Sequence, residues 1–192
     1  MLYKKLSRQF YNQKTLKVAK ELLGKFLIHK IGRQKLVGMI CETEAYCGLN
    51  DLASHASRGR TPRTEIMFDE PGHAYVYLIY GMYYCFNIVT ERKDYPAAVL
   101  IRAMKPLVNS RGIPFGSVQG LQKASATPLD GPGKVCQYMR IDKKLNGIDL
   151  TGSKLWVEDR AVKIKKFAVH CSKRIGVDYA GKYKNKPWRF YI

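Results

Sequence analysis

Along TLKVAKELLG, residues 15 to 24, the apolar positions Leu16, Ala19, Leu22 and Leu23 recur at helical spacing. They share one face of a packing helix, with Thr15 placed to cap its start and Gly24 to close its last turn. KFLIHKI and KLVGMICETEAY then change to the two-residue period of strands, joined around Gly32. In the second of these, the even positions put Leu36, Ile40, Glu42, Glu44 and Tyr46 on one face, so two carboxylates share a partly buried side with an aromatic ring.

Residues 48 to 73 are polar and glycine-rich and read as a long loop, the kind of segment that often carries function in a compact domain. From Ala74 the strand period returns, with Tyr75, Tyr77 and Ile79 on one face and Val76 and Leu78 on the other. Gly81 interrupts it, so YGM reads as the tip of a hairpin whose return strand, YCFNIV, alternates Cys85, Asn87 and Val89 with Phe86 and Ile88. AAVLIRAM is a further strand with Arg102 near its end, residues 108 to 133 read as irregular, and GKVCQYMRI as a short helix. Strands resume around KLWVED and AVKIKKFAVH, and no repeat or linker divides the chain. The expected fold is α+β, a single compact domain over residues 1–192 with a curved antiparallel β-sheet surrounded by helices.

Composition adds a partner. The net charge of +19, from 34 Lys and Arg against 15 Asp and Glu, exceeds what solubility needs and points to a polyanion, nucleic acid first. Residues 1 to 40 carry ten basic side chains against Glu21 alone, and residues 160 to 192 carry ten against Asp178 alone. No run approaches the roughly eighteen apolar residues of a spanning helix, and the N-terminus has no apolar signal core, so a soluble intracellular protein is expected. Cys41, Cys47, Cys85, Cys136 and Cys171 are scattered without a C-x-x-C pair and read as reduced thiols. The four histidines lack metal-site spacing, so neither a metal nor another cofactor is expected.

Several residues carry more than one reading. Glu42 and Glu44 are either a catalytic pair or ordinary strand carboxylates. His55 is a base, a stacking ring or a polar loop residue. Arg58, Arg60 and Arg63 beside it are phosphate contacts or solvated charges. GPGK at 131 to 134 offers free amides and Lys134 to an anion, or is a plain turn. Tyr75, Tyr83 and Tyr84 suit strand packing, whereas Tyr80, beside the glycine of a hairpin tip, has little to pack on and suits a wedge between bases.

The run ETEAYCGLNDLASHASRGRTPRTEIMFDEPGHAYVYLIYGMYYCFNIVT, with VLIRAMKPL, GPGKVCQ and RIGVDYAGKYKNKPWRFYI, resembles the alkyladenine (3-methyladenine) DNA glycosylase family over nearly the whole chain. The resemblance implies a monofunctional enzyme without lyase activity. It would flip a damaged purine (3-methyladenine, hypoxanthine, ethenoadenine class) out of double-stranded DNA and hydrolyse its bond to deoxyribose, leaving an abasic site. By the same match, Glu44 is the general base that activates water, Arg102 lies near that water, and the Ile175 carbonyl holds it from the other side. Tyr46, His55 and Tyr77 enclose the flipped base, Asn87 screens out guanine, and Tyr80 with Met82 enters the vacated stack. Arg60, Arg63 and Lys134 are candidates for the DNA backbone.

Two stretches, 108 to 128 and GVDYAG, depart from the family pattern. The chain lacks the N-terminal extension of larger eukaryotic members, so a bacterial cytoplasm, at the nucleoid, is expected rather than a nucleus; a monomer without membrane contact is expected as well. Two other classes compete: a module that holds nucleic acid or lesions without cleaving, and a hydrolase of free nucleosides or glycosides working through Glu42 and Glu44. A net charge of +19 speaks against the second.

Overall fold

The computed structural model describes residues 3–108, 123–124 and 128–192. Among these, eleven strands form one antiparallel sheet with three short α-helices, an α+β fold as the sequence pattern implies. In chain order the elements are β1 (Lys4–Lys5), α1 (Arg8–Tyr11), α2 (Thr15–Glu21), β2 (Phe26–Ile31), β3 (Gln34–Cys47), β4 (Ala74–Ile79), β5 (Tyr83–Val89) and β6 (Ala97–Val108). There follow β7 (Lys123–Ala124), β8 (Leu129–Asp130), α3 (Pro132–Met139), β9 (Leu155–Asp159), β10 (His170–Ser172) and β11 (Arg189–Tyr191). The main order is β1-β9-β2-β3-β6-β5-β4, with β11 pairing the second half of β3, β10 pairing β11, and β7 and β8 pairing β6.

The long central strands β3 and β6 place the site. Leu36 and Ile40 face the main core with Val18 and Ala19 of α2 and with Leu22 just after it. Past Ile40 the register with β6 shifts twice, so that Ile40 pairs Met104, Glu42 pairs Ala103 and Thr43 pairs Ile101. The irregularity switches the alternation of both strands: Ala45, Val99 and Ile101 now face the main core, and Thr43 donates to Ala19 O at 2.8 Å on that side. Glu44, Tyr46, Leu100 and Arg102 are thereby turned to the opposite face. Leu36 and Ile40 therefore do not share a face with Glu44, contrary to the plain alternation. A β-irregularity reverses parity in a way that no period-two count can register.

Local expectations fared variously. The hairpin forms around Gly81. Helix α2 ends at Glu21, burying Val18 and Ala19 with Leu22 and Leu23 just beyond its end, while Leu16 of the expected face is only partly buried against the core. Thr15 does not cap that helix. Its backbone N–H and its hydroxyl donate to Glu91 Oε1, at 3.0 and 2.6 Å, so a distant carboxylate satisfies the helix start. The strand expected over AVKIKKFAVH does not form. Ala161 takes a left-handed φ of 58°, Lys166–Ala168 is a single 3-10 turn, and Val162 and Ile164 pack over Gly24 instead of pairing with a strand. The loop 48 to 73 contains two 3-10 turns, His55–Arg58 and Glu65–Phe68, and buries Asp51, Ala53, Ser54, Ala56 and Met67. Much of the stretch read as irregular, and most of the departing segment 108 to 128, lies outside the described residues; at its margins Val108 ends β6 and α3 begins at Pro132.

Candidate active site

A cavity of about 570 Å³ opens on the sheet face that carries Glu44. Its walls come from β3 (Glu44, Tyr46), the following loop (His55), the β4–β5 hairpin (Tyr77, Tyr80, Asn87), β6 (Arg102), the start of α3 (Lys134) and the segment around Ile175. Nine of the residues singled out from the sequence thus meet at one place. Met82, Arg60 and Arg63 do not line it. Met82 sits exposed at the hairpin tip beside Tyr80, and Arg63 lies against the Tyr77 ring, 5.1 Å from its centroid. Arg60 is ion-paired with Asp94 and, at 2.8 Å, with Glu65, over the ring of Phe68.

Glu44 is the centre of the arrangement. Its side chain shows no exposed surface in the folded chain, yet it borders the cavity. Oε1 accepts the Ile175 N–H at 2.9 Å and Oε2 accepts the Tyr46 hydroxyl at 2.9 Å. Arg102 Nε lies 3.7 Å from Oε1. Burial pushes the Glu44 carboxyl above its ordinary range, opposed by the Arg102 charge and by the two hydrogen bonds. The outcome is a fixed carboxylate that holds a proton more readily than a solvated one, as a base near neutral pH requires.

What fixes Ile175 is a pair of residues that composition and period did not single out. Arg174 binds Asp51 through both guanidinium nitrogens, at 2.6 and 2.8 Å, and donates to Ala45 O at 2.8 Å, with both side chains fully buried. Its guanidinium also lies against the rings of Tyr46 and Trp188, 4.8 and 5.0 Å from their centroids. One ion pair therefore anchors the chain next to Ile175 and backs the ring that hydrogen-bonds Glu44. Asp51 stands in a polar loop and Arg174 in a basic tail, and each looks solvated until the fold brings them together.

His55, Tyr75 and Tyr77 line the same cavity with rings. His55 and Tyr77 meet nearly edge to face with centroids 4.6 Å apart, Tyr75 lies 5.2 Å from Tyr77, and the Tyr75 hydroxyl is hydrogen-bonded to His55 Nδ1 at 2.9 Å. Burial, with Arg63 and Arg58 nearby, lowers the His55 imidazole to about 4, so it is neutral at physiological pH. Asn87 is buried and donates to Tyr75 O, its cross-strand partner, at 3.1 Å. At the mouth Tyr80 is 81% exposed with a left-handed φ of 53°, next to Gly81 at 70°. Lys134 stands at the exposed start of α3, paired with Asp130 at 2.5 Å. Among the described residues no three His, Cys, Asp or Glu side chains gather as a metal site, and no helix is long and apolar enough to cross a membrane.

Comparison with known proteins matches this geometry to a family. The profile of the methylpurine-DNA glycosylases fits residues 9–192. A protein of Desulfitobacterium hafniense is 47% identical over 98% of this chain and 95% of its own length. One of Methanocella arvoryzae is 50% identical over 97% and 91%, and one of Legionella pneumophila is 45% identical over 98% and 94%. Each carries the provisional name 3-methyladenine DNA glycosylase. With a family match across nearly its full length, the chain belongs to the methylpurine-DNA glycosylases, enzymes that hydrolyse N-glycosyl bonds to remove alkylated bases from DNA.

Proposed function

We propose that the chain acts on double-stranded DNA as a monofunctional, base-flipping glycosylase for alkylated and deaminated purines, with Glu44 as general base. The observation that carries this reading is the buried Glu44 carboxylate at the cavity wall, oriented from two sides by Ile175 N–H and Tyr46 and faced by Arg102. Glu44 takes a proton from a water as that water's oxygen bonds to C1′ of the deoxyribose. The bond from C1′ to the purine nitrogen breaks, and its electron pair leaves with the base. An N-methylated adenine is cationic, so this pair neutralises it and the leaving group needs no added proton; a deaminated purine is neutral, leaves as the anion and takes its proton from solvent. The Arg102 side and the Ile175 carbonyl are assigned to holding the water.

Substrate selection follows from the walls. Tyr46, Tyr77 and a neutral His55 offer electron-rich faces to a cationic base, a preference that an imidazolium at His55 would oppose. Tyr80, with Met82 beside it, enters the gap that the flipped nucleotide leaves. Asn87 is assigned to excluding the 2-amino group of guanine, and Arg60, Arg63 and Lys134 to the DNA backbone. The cavity-lining lysine, Lys134, is exposed and ion-paired, in contrast to the buried carboxylate, which favours hydrolysis by water over a Schiff base. The proposed chemistry calls on no group from a second copy, and the enzyme is proposed to act as a monomer.

The test is a duplex with one hypoxanthine or ethenoadenine, incubated with the protein and treated with hot alkali. A cut at the lesion, absent without alkali, is expected. An uncut strand that is nonetheless bound would make the protein a lesion-binding module.

A further inference from the structure

Glu42, two residues before Glu44 on the same strand, has no place in the scheme above, yet it is tied to the same charges. Its Oε1 lies 3.2 Å from Arg102 Nε and 2.8 Å from Arg189 Nε. Arg102 Nε thus stands between two carboxylates and lies nearer to Glu42, at 3.2 Å, than to Glu44, at 3.7 Å. Arg189 is the register partner of Glu44 across β11 and β3, and it too turns to Glu42. Two carboxylates and two guanidiniums balance here.

We propose that Glu42 is a positioning residue: it holds Arg102 and Arg189 in ion pairs of their own and leaves Glu44 free to take the proton of the attacking water. The inference rests on Glu44 being the base. Without the Glu42 charge, two cations would face one buried carboxylate, and Arg102 would need to close only a short gap to pair with it. Such a pair makes a carboxylate a weaker base and ties up an oxygen that the water needs. The other groups facing Glu44 do not replace this function. Tyr46 and Ile175 N–H donate to it, Cys85 on β5 and the rings of His55 and Tyr77 are uncharged in the cavity, and Arg174 is committed to Asp51.

The experiment is the pH profile of 3-methyladenine release from methylated duplex DNA under single-turnover conditions. The substrate base is already cationic, so the acid limb reports the general base. For Glu42→Gln the limb should move to lower pH, and the plateau rate should fall by about threefold to tenfold, as for a weakened base. Glu42→Asp, which keeps the charge, should leave the limb where the wild type has it. Each profile is normalised to its own plateau, so partial loss of folded protein does not affect the reading. A Glu42→Gln limb that stays in place, or moves to higher pH, overturns the proposal. Glu44→Gln is the control for the underlying reading: if that variant keeps wild-type activity, Glu44 is not the base, whatever Glu42 does.

Discussion

Arg174 grips Asp51 through two hydrogen bonds of 2.6 and 2.8 Å, and neither side chain reaches solvent. The residue after Arg174 is Ile175, whose N–H is one of the two donors that orient Glu44. The ion pair lies behind the site and sets its geometry.

Breaking that pair strands a buried charge. Asp51→Asn or Arg174→Gln should lower the free energy of unfolding by about 3 to 5 kcal/mol, measured by urea denaturation. Base release by the protein that remains folded should slow as well, because Ile175 N–H and Tyr46 lose their support. A loss under 1 kcal/mol, on the scale of an exposed pair, would show that the contact does not hold the site together.

Tyr80 carries a bulky ring at a left-handed φ of 53°. Such a conformation costs about 1 to 2 kcal/mol for a residue with a Cβ. Tyr80→Gly should therefore fold at least as stably as the wild type, while its capture of a lesion duplex weakens by about 1 to 3 kcal/mol, the worth of one base stack. Equilibrium melting and lesion-binding titrations check the two halves. Unchanged lesion affinity would remove Tyr80 from the flipping step.

The His55 imidazole is held at about 4 against an ordinary 6.5. The fold thus prefers the neutral ring. The associated stability is fully present above the ordinary value and is lost as pH falls from about 6.5 through about 4. Between about pH 7 and about pH 4.5, His55→Phe should lose less of its urea midpoint than the wild type does. Equal losses would mean that the fold does not depress the His55 imidazole, which would then titrate as it does in the unfolded chain.

Asn87 both borders the cavity and donates to Tyr75 O. If its bulk rejects the 2-amino group, Asn87→Ala should raise excision of mispaired guanine relative to hypoxanthine by about 1 to 3 kcal/mol in the ratio of single-turnover rates. If both rates fall together and the ratio holds, Asn87 serves only the hairpin.

The sequence made some levels of this structure legible and concealed others. The α2 helix and the β4–β5 hairpin follow local rules, a 3.6-residue period in one and a glycine between alternating strands in the other, and both form. Glu44 faces the cavity for a different reason from the one its strand suggests. The register shift after Ile40 depends on β6, sixty residues away in the chain, and local alternation carries no trace of it. Asp51 and Arg174 failed to stand out for a similar reason, since a buried ion pair has two ordinary surface residues as its halves until tertiary contact removes the water. The 161 to 170 stretch shows the converse, an alternating pattern whose apolar members pack on Gly24 without a partner strand. The site residues were recognisable together only through the family pattern.

The most direct measurement is single-turnover release of a methylated or deaminated purine by Glu44→Gln at neutral pH, alongside lesion binding and thermal melting. Burial raises the Glu44 carboxyl above its ordinary range, so its contribution to stability is present at acidic pH and is lost as pH rises through the folded value. An uncharged Gln should therefore leave the fold at least as stable at neutral pH. The expected result is an intact, lesion-binding protein whose base release falls by at least roughly 10²-fold, while Glu42→Gln loses far less. A Glu44→Gln variant that folds, binds and releases base at the wild-type rate would contradict the assignment of Glu44 as the base.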